Sequence, residues 1–209
     1  MTTLALTAPF NSVQTLIEHV PLKSEKTAYT GMVYHFNYGS MATSYLDLPG
    51  HIAETDDGCC AVKLDPGEWY RQPVGLIRIP ARPGAEFAIR PEDVERAMEG
   101  RTWHPWMVLH ALGGRTDSEK PIRMTYLAME TVDLLIAKGV KVMLGDAWES
   151  RRLEGVFLRL FGRGVSTVCN LVNLDKLPDD REFRITLGFL PYAGSVTQIP
   201  CSVLAEFEG

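Results

Sequence analysis

Ser44-Tyr45-Leu46-Asp47-Leu48-Pro49-Gly50-His51 sets a carboxylate and an imidazole across a proline-stiffened turn. An Asp-x-Pro-x-His string is a candidate acid/base pair, in which the carboxylate orients an imidazole that moves a proton near neutral pH. It is equally a fragment of a metal site. Asp and Pro are also ordinary turn residues, so taken alone the string reads first as a capped turn. A second stretch, Asn170-Leu171-Val172-Asn173-Leu174-Asp175-Lys176-Leu177-Pro178, gives it weight from the far end of the chain.

Around these two segments the chain reads as mixed α/β. Val13 to Val20 and Met32 to Tyr38 alternate β-branched or aromatic residues with polar ones, the pattern of half-buried strands. Pro73 to Ile79 and Met107 to Leu112 add short apolar runs. Pro91 to Glu99 predicts a helix, with Pro in its first turn, acids after it and Gly100 as its stop. Tyr126 to Lys138 predicts a second helix ended by Gly139, and Val140 to Leu144 a strand. Leu153 to Phe161 presents one apolar helical face, and Val165 to Leu171 is strand-like again. Strand, helix, strand in that order predicts a parallel crossover. Phe183 to Phe207 holds two further strands, separated by Pro191, Gly194 and Pro200.

Composition bounds the function. A chain of 209 residues with 45% hydrophobic content is the size of one fairly large domain, read here as residues 1–209. No apolar run reaches bilayer length, and the N-terminus lacks the basic start and apolar stretch of a secretory signal, which predicts a cytoplasmic protein and no membrane partner. The net charge is -5 and the 21 Lys and Arg are scattered, so no nucleic-acid footprint is present. Four cysteines, two of them adjacent at Cys59 and Cys60, form neither a disulfide framework nor a Cys-x-x-Cys spacing and read as reduced thiols.

The two segments resemble the cyclase family of kynurenine-formamidase-like and isatin-hydrolase-like amidohydrolases. The resemblance runs from about Gly39 onward, with Gly58, the Gly139-to-Asp146 stretch and Leu177-Pro178 in family-like order. It implies a mixed-sheet α/β fold, the swivelling β/β/α domain of the cyclase type, assembled as a homodimer or homotetramer around a small-molecule substrate. The family signature, roughly His-x-x-x-His-x-Asp-x-Pro-x-His, falls on Met41, Tyr45, Asp47, Pro49 and His51. The later family ligands, a His and a Glu, fall on Phe157 and Cys169. Only Asp47 and His51 are kept. A thioether is a soft ligand, a neutral phenol a poor one and a phenyl ring none, so no resident metal and no other cofactor is expected.

The resemblance implies that Tyr45 and Cys169 point into the emptied cavity beside Asp47 and His51, which makes these four the candidate catalytic residues. Tyr45 either donates a hydrogen bond to an oxyanion or enolate or simply plugs the cavity. Cys169 is either a nucleophile or an inert buried thiol. Met41 and Phe157 turn a wet site greasy, which suits an apolar ligand and raises the pKa of a buried carboxylate. Trp69 and Trp148 are candidate pocket walls, although for Trp69 an oligomer interface is an alternative and core packing the default reading. His19, His35, His104 and His110 have no ligand spacing and read as structural or surface residues, and the Arg151-Arg152 pair either binds an anionic substrate group or is simply a solvated helix start.

Three functions follow. The first is a metal-independent enzyme of acid/base type acting on a small, fairly apolar carbonyl compound by cyclisation, elimination or rearrangement in a biosynthetic pathway. The second is an amide or lactone hydrolase with a weak metal or a Cys169 nucleophile. The third is a non-catalytic ligand-binding protein.

Overall fold

The computed structural model describes residues 1–11, 13–82, 84–113, 123–190, 192 and 194–209. Its strands are β1 (Thr2–Ala5), β2 (Gln14–Lys23), β3 (Ala28–Asn37), β4 (Tyr45–Asp47), β5 (Gln72–Arg78), β6 (Phe87–Ile89), β7 (Trp106–His110), β8 (Thr125–Leu127), β9 (Val142–Gly145), β10 (Ser166–Cys169), β11 (Phe183–Phe189) and β12 (Gln198–Phe207). The α-helices are α1 (Pro91–Ala97), α2 (Met129–Ala137) and α3 (Val156–Phe161). The main sheet runs β1-β12-β11-β5-β7-β9-β10-β4, and a further pairing of β12 with β4 closes it into a barrel with β1 along one edge.

The middle of that sheet is parallel. β5 pairs β7, β7 pairs β9 and β9 pairs β10 in parallel, with α1, α2 and α3 as the intervening crossovers. The crossover expected through Leu153 to Phe161 is therefore present. Strand alternation sends one set of side chains inward and the other outward. Leu46, Val74, Leu76, Trp106, Val108, Val142, Leu144, Val168 and Ile199 fill the barrel. Ile77, Met107, Leu109 and Met143 face outward onto the helices, where Val94, Leu135 and Leu160 cover them.

Several expected boundaries move. Tyr126 and Leu127 belong to β8, which pairs with β6, so α2 begins at Met129 after an extended Ala128. Leu153 has φ 56° and stands outside α3, which begins after Gly155. Pro200 does not separate strands but lies inside β12, opposite Tyr45 and just before the β11 pairing starts at Cys201, where no ladder bond needs its missing N–H. Pro191 lies outside the described residues.

The hairpin of β2 and β3 is a larger departure. Both strands form, but they pair only with each other, and both faces are exposed rather than half-buried. Leu16, Tyr29, Met32 and Phe36 are all more than half exposed. No helix among the described residues is long and apolar enough to cross a membrane.

Trp69 is in the barrel and not at a pocket. It is 7% exposed and meets Trp106 and Phe189 edge-on, with ring centroids 5.2 and 5.8 Å away. Its indole fills core volume between β5, β7 and β11, which rules out the substrate contact expected for it. Trp69→Ala should therefore lower the unfolding free energy by about 3–5 kcal/mol, read by urea denaturation; a loss below about 1 kcal/mol would contradict the core placement.

Candidate active site

β4 is three residues long and is paired on both sides. Tyr45 lies opposite Cys169 and Pro200, Leu46 opposite Val168 and Ile199, and Asp47 opposite Thr167 and Gln198. Directly paired antiparallel residues share a face. Because Leu46, Val168 and Ile199 face the barrel interior, Tyr45, Asp47, Thr167, Cys169 and Gln198 all face outward. The local order of the Asp-x-Pro-x-His string thus becomes a cross-strand cluster.

Asp47 is 4% exposed. Its Oδ1 accepts a hydrogen bond from Gln198 Nε2 at 2.8 Å, and its Oδ2 lies 4.0 Å from the Cys169 thiol. Burial pushes its pKa from 3.8 up to about 6, against the opposing pull of the Gln198 hydrogen bond and the His51 charge. Burial and the Asp47 charge push the Cys169 thiol far above its ordinary range, so it stays protonated. The Tyr45 side chain hydrogen-bonds the same sulfur. A line of polar contacts therefore runs from Tyr45 through Cys169 to Asp47.

His51 follows in the short 3-10 turn Pro49–His51, which is pinned by a hydrogen bond from Leu48 N to Thr197 O. The turn passes close to its neighbours at Gly50, where a Cβ would stand 2.7 Å from Asp56 Oδ1 and 3.0 Å from Thr197 Cγ2 and these side chains would have to shift. The close approach brings exposed His51 to Gln198, Nε2 to Nε2 at 3.2 Å.

A cavity of about 450 Å³ opens beside this cluster. Met41, Tyr45, Trp148, Phe157 and Cys169 line it, so the positions that the resemblance assigns to lost ligands do converge on one space. Trp148 and Phe157 form one wall, with ring centroids 5.5 Å apart. Asp47 and His51 do not line the cavity; Asp47 lies behind Cys169 and His51 beyond Gln198.

The carboxyl ends of the parallel strands supply the opposite side. Asp146, just after β9, lines the cavity and binds His110 Nδ1 at 2.9 Å through Oδ2. It also accepts the backbone N–H groups of Ala111 and Leu112 at 2.9 and 3.1 Å. His110 is thus the structural, hydrogen-bonded residue expected. Glu149 is buried and accepts N–H bonds from Glu154, Gly155 and Val156, capping the start of α3, while Arg151 and Arg152 are exposed and do not line the cavity. Arg123 is the one cation among the described lining residues.

The side chains at the family's ligand positions are poor donors for a divalent ion, and the two carboxylates among the described lining residues, Asp146 and Glu149, are engaged by backbone N–H groups. A thioether, a phenol, a phenyl ring and a protonated thiol surround the cavity where the family pattern has imidazoles and a carboxylate. Among the described residues no three His, Cys, Asp or Glu side chains converge as a ligand set.

Gln198, Asp146 and Arg123 escaped the sequence reading. For Asp146 a signal existed: a charged residue directly after the buried apolar run Val142 to Leu144 marks the carboxyl end of a parallel strand, where α/β sites gather. Gln198 carried none, since only the β4–β12 register brings it to Asp47.

No family model matches the chain, and no curated protein matches its sequence. Solved structures match closely in shape. Isatin hydrolase A from Labrenzia aggregata, in a complex with benzyl benzoate, superposes with a TM-score of 0.72 at 15% identity over 98% of this chain and 93% of that one. Isatin hydrolase A from Ralstonia solanacearum gives 0.68 at 16% identity, covering 98% and 91%. A structure described as a novel cyclase gives 0.72 at 14% identity, covering 98% and 88%. With its closed mixed barrel and outer helices, this chain has the fold of the isatin hydrolases and cyclases.

Proposed function

We propose that the chain is a metal-independent enzyme on the cyclase scaffold that acts by acid/base catalysis on a small, fairly apolar carbonyl compound held in the cavity of Met41, Tyr45, Trp148, Phe157 and Cys169. The observation that carries this reading is that cavity itself: the ligand positions still meet there, but with side chains that suit an apolar guest and a proton donor. A line of donors leads from the cavity through Cys169, whose thiol also lies 3.8 Å from Thr167 Oγ1, to the buried carboxylate of Asp47. Tyr45 takes a proton from the substrate as its own passes to the Cys169 sulfur and the thiol proton passes to Asp47 Oδ2. Return along the line reprotonates the product, as a cyclisation or rearrangement requires. Asp47 and Cys169 are positioning and relay groups behind Tyr45, since neither His51 nor Asp47 reaches the cavity.

A hydrolase using Cys169 as nucleophile has less support, because the thiolate is the reactive form and burial disfavours it here. We also propose that the chain works as a homodimer or homotetramer. The exposed apolar side chains of the β2–β3 hairpin support this, since an isolated two-stranded ribbon is marginal in water.

A panel of aryl ketones, lactones and isatin-type lactams, incubated with the protein in excess chelator and analysed by mass spectrometry, tests the assignment. Product should form at the same rate with and without chelator. A rate abolished by chelator and restored by zinc or manganese would overturn metal independence, and a guest that binds without change would leave a binding protein. Tyr45→Phe should lower kcat/KM roughly 100-fold or more while leaving ligand affinity within a few-fold. The wild-type kcat/KM should rise with pH through about 6, as Asp47 becomes able to accept the proton.

Asp47 also makes its own pH-dependent contribution to stability. Its folded pKa of about 6 lies above the unfolded value of 3.8, so the folded state binds the extra proton and stability falls as pH rises between them. Above pH 6 the full cost, about 3 kcal/mol, is present. Asp47→Asn should therefore unfold at a higher temperature than wild type at pH 8, and the advantage should vanish near pH 4. An equal advantage at both pH values would show that Asp47 is not the group responsible.

A further inference from the structure

We propose that the side-chain amide of Gln198 bridges Asp47 and His51, so that the two remaining family ligands are held together by a neutral donor in place of a shared ion. The orientation of the amide is determined by its neighbours. Gln198 Oε1 accepts from the Ser40 hydroxyl, which leaves the two N–H groups of Nε2 for Asp47 Oδ1 at 2.8 Å and His51 Nε2 at 3.2 Å. A flipped amide would set a carbonyl oxygen against the Asp47 carboxylate and lose the donor to His51. One nitrogen thus bridges a carboxylate oxygen and an imidazole nitrogen, as an ion would. Unlike an ion, it carries no charge, and its Oε1 is tied to Ser40 in the segment before β4.

The arrangement has a second consequence. With Gln198 Nε2 as the donor, His51 accepts at Nε2, the arrangement of the tautomer that carries its proton on Nδ1. Gln198 is therefore a positioning residue that sets the rotamer of Asp47 and the tautomer of His51. Its place in the fold explains how: β12 pairs with β4 in the register Gln198 to Asp47, and Gly50 allows the turn to approach close enough for His51 to reach. The inference explains the metal independence proposed above but does not rest on turnover, and its test needs no substrate.

The test is a zinc titration of the full chain by isothermal calorimetry, with circular dichroism to confirm folding. Gln198→Glu exchanges the bridging donor for a third ligand beside Asp47 and His51, and Gln198→His is the alternative should the first fail to fold. The folded variant should bind one zinc ion per chain roughly a hundredfold more tightly than wild type, and adding His51→Ala should remove the gain. Wild-type binding that matches the variant and depends on His51 would overturn the proposal, as would a folded variant that gains no zinc affinity. In nitrogen-15 spectra of labelled histidine, wild-type His51 should appear as the Nδ1–H tautomer, and Gln198→Ala should shift it toward a mixture of tautomers. An unchanged tautomer would remove Gln198 from the positioning role.

Discussion

The double pairing of β4 is the constraint on which the site depends. A three-residue strand has little hold of its own, yet β10 grips it on one edge and β12 on the other, and these two pairings close the barrel. Leu46 is the inward anchor, fully buried among Val168 and Ile199. A slip of one residue would turn Leu46 to the outside and Asp47 into an apolar barrel, which the burial of an unpaired carboxylate forbids. The hydrophobic choice of face therefore decides where the chemistry stands.

With the register set, the electrostatics follow. The carboxylate of Asp47 sits among neutral partners: an amide on one oxygen and a thiol near the other. Desolvation outweighs the Gln198 hydrogen bond and the His51 charge, and the pKa of the group rises to about 6. The same burial keeps Cys169 protonated, so it serves as a donor to Asp47 and a partner of Tyr45.

Much of the fold was legible because its long elements obey simple periods. The crossover through α3, the Pro91 helix start and the paired strands near both ends could all be read from residue spacing, and the fold type from two short motifs. The boundaries that moved did so for tertiary reasons: Tyr126 and Leu127 joined β8 because β6 offered a partner, and Pro200 entered β12 where no neighbour needed its N–H. At the site, the family resemblance implied that Met41, Tyr45, Phe157 and Cys169 share one cavity, and Trp148 lines it with them. Trp69 does not; an aromatic residue near a turn has the same sequence appearance whether it faces a core or a cleft. Gln198 was invisible because its meaning lies in a partner 151 positions away.

That separation has a cost in time. A nascent chain emerges at roughly 5–20 residues per second, so Asp47 waits on the order of ten seconds or more before Gln198 exists. During that interval β4 has neither of its flanking strands for most of the wait, and the Pro49–His51 turn has no Thr197 to close upon. Long-range pairing of this kind also slows the folding search itself, because distant loops must close before their contacts contribute. The strand that seals the barrel is thus also the one that brings Gln198 to Asp47, so closure of the sheet and completion of the polar cluster depend on the same late-made segment.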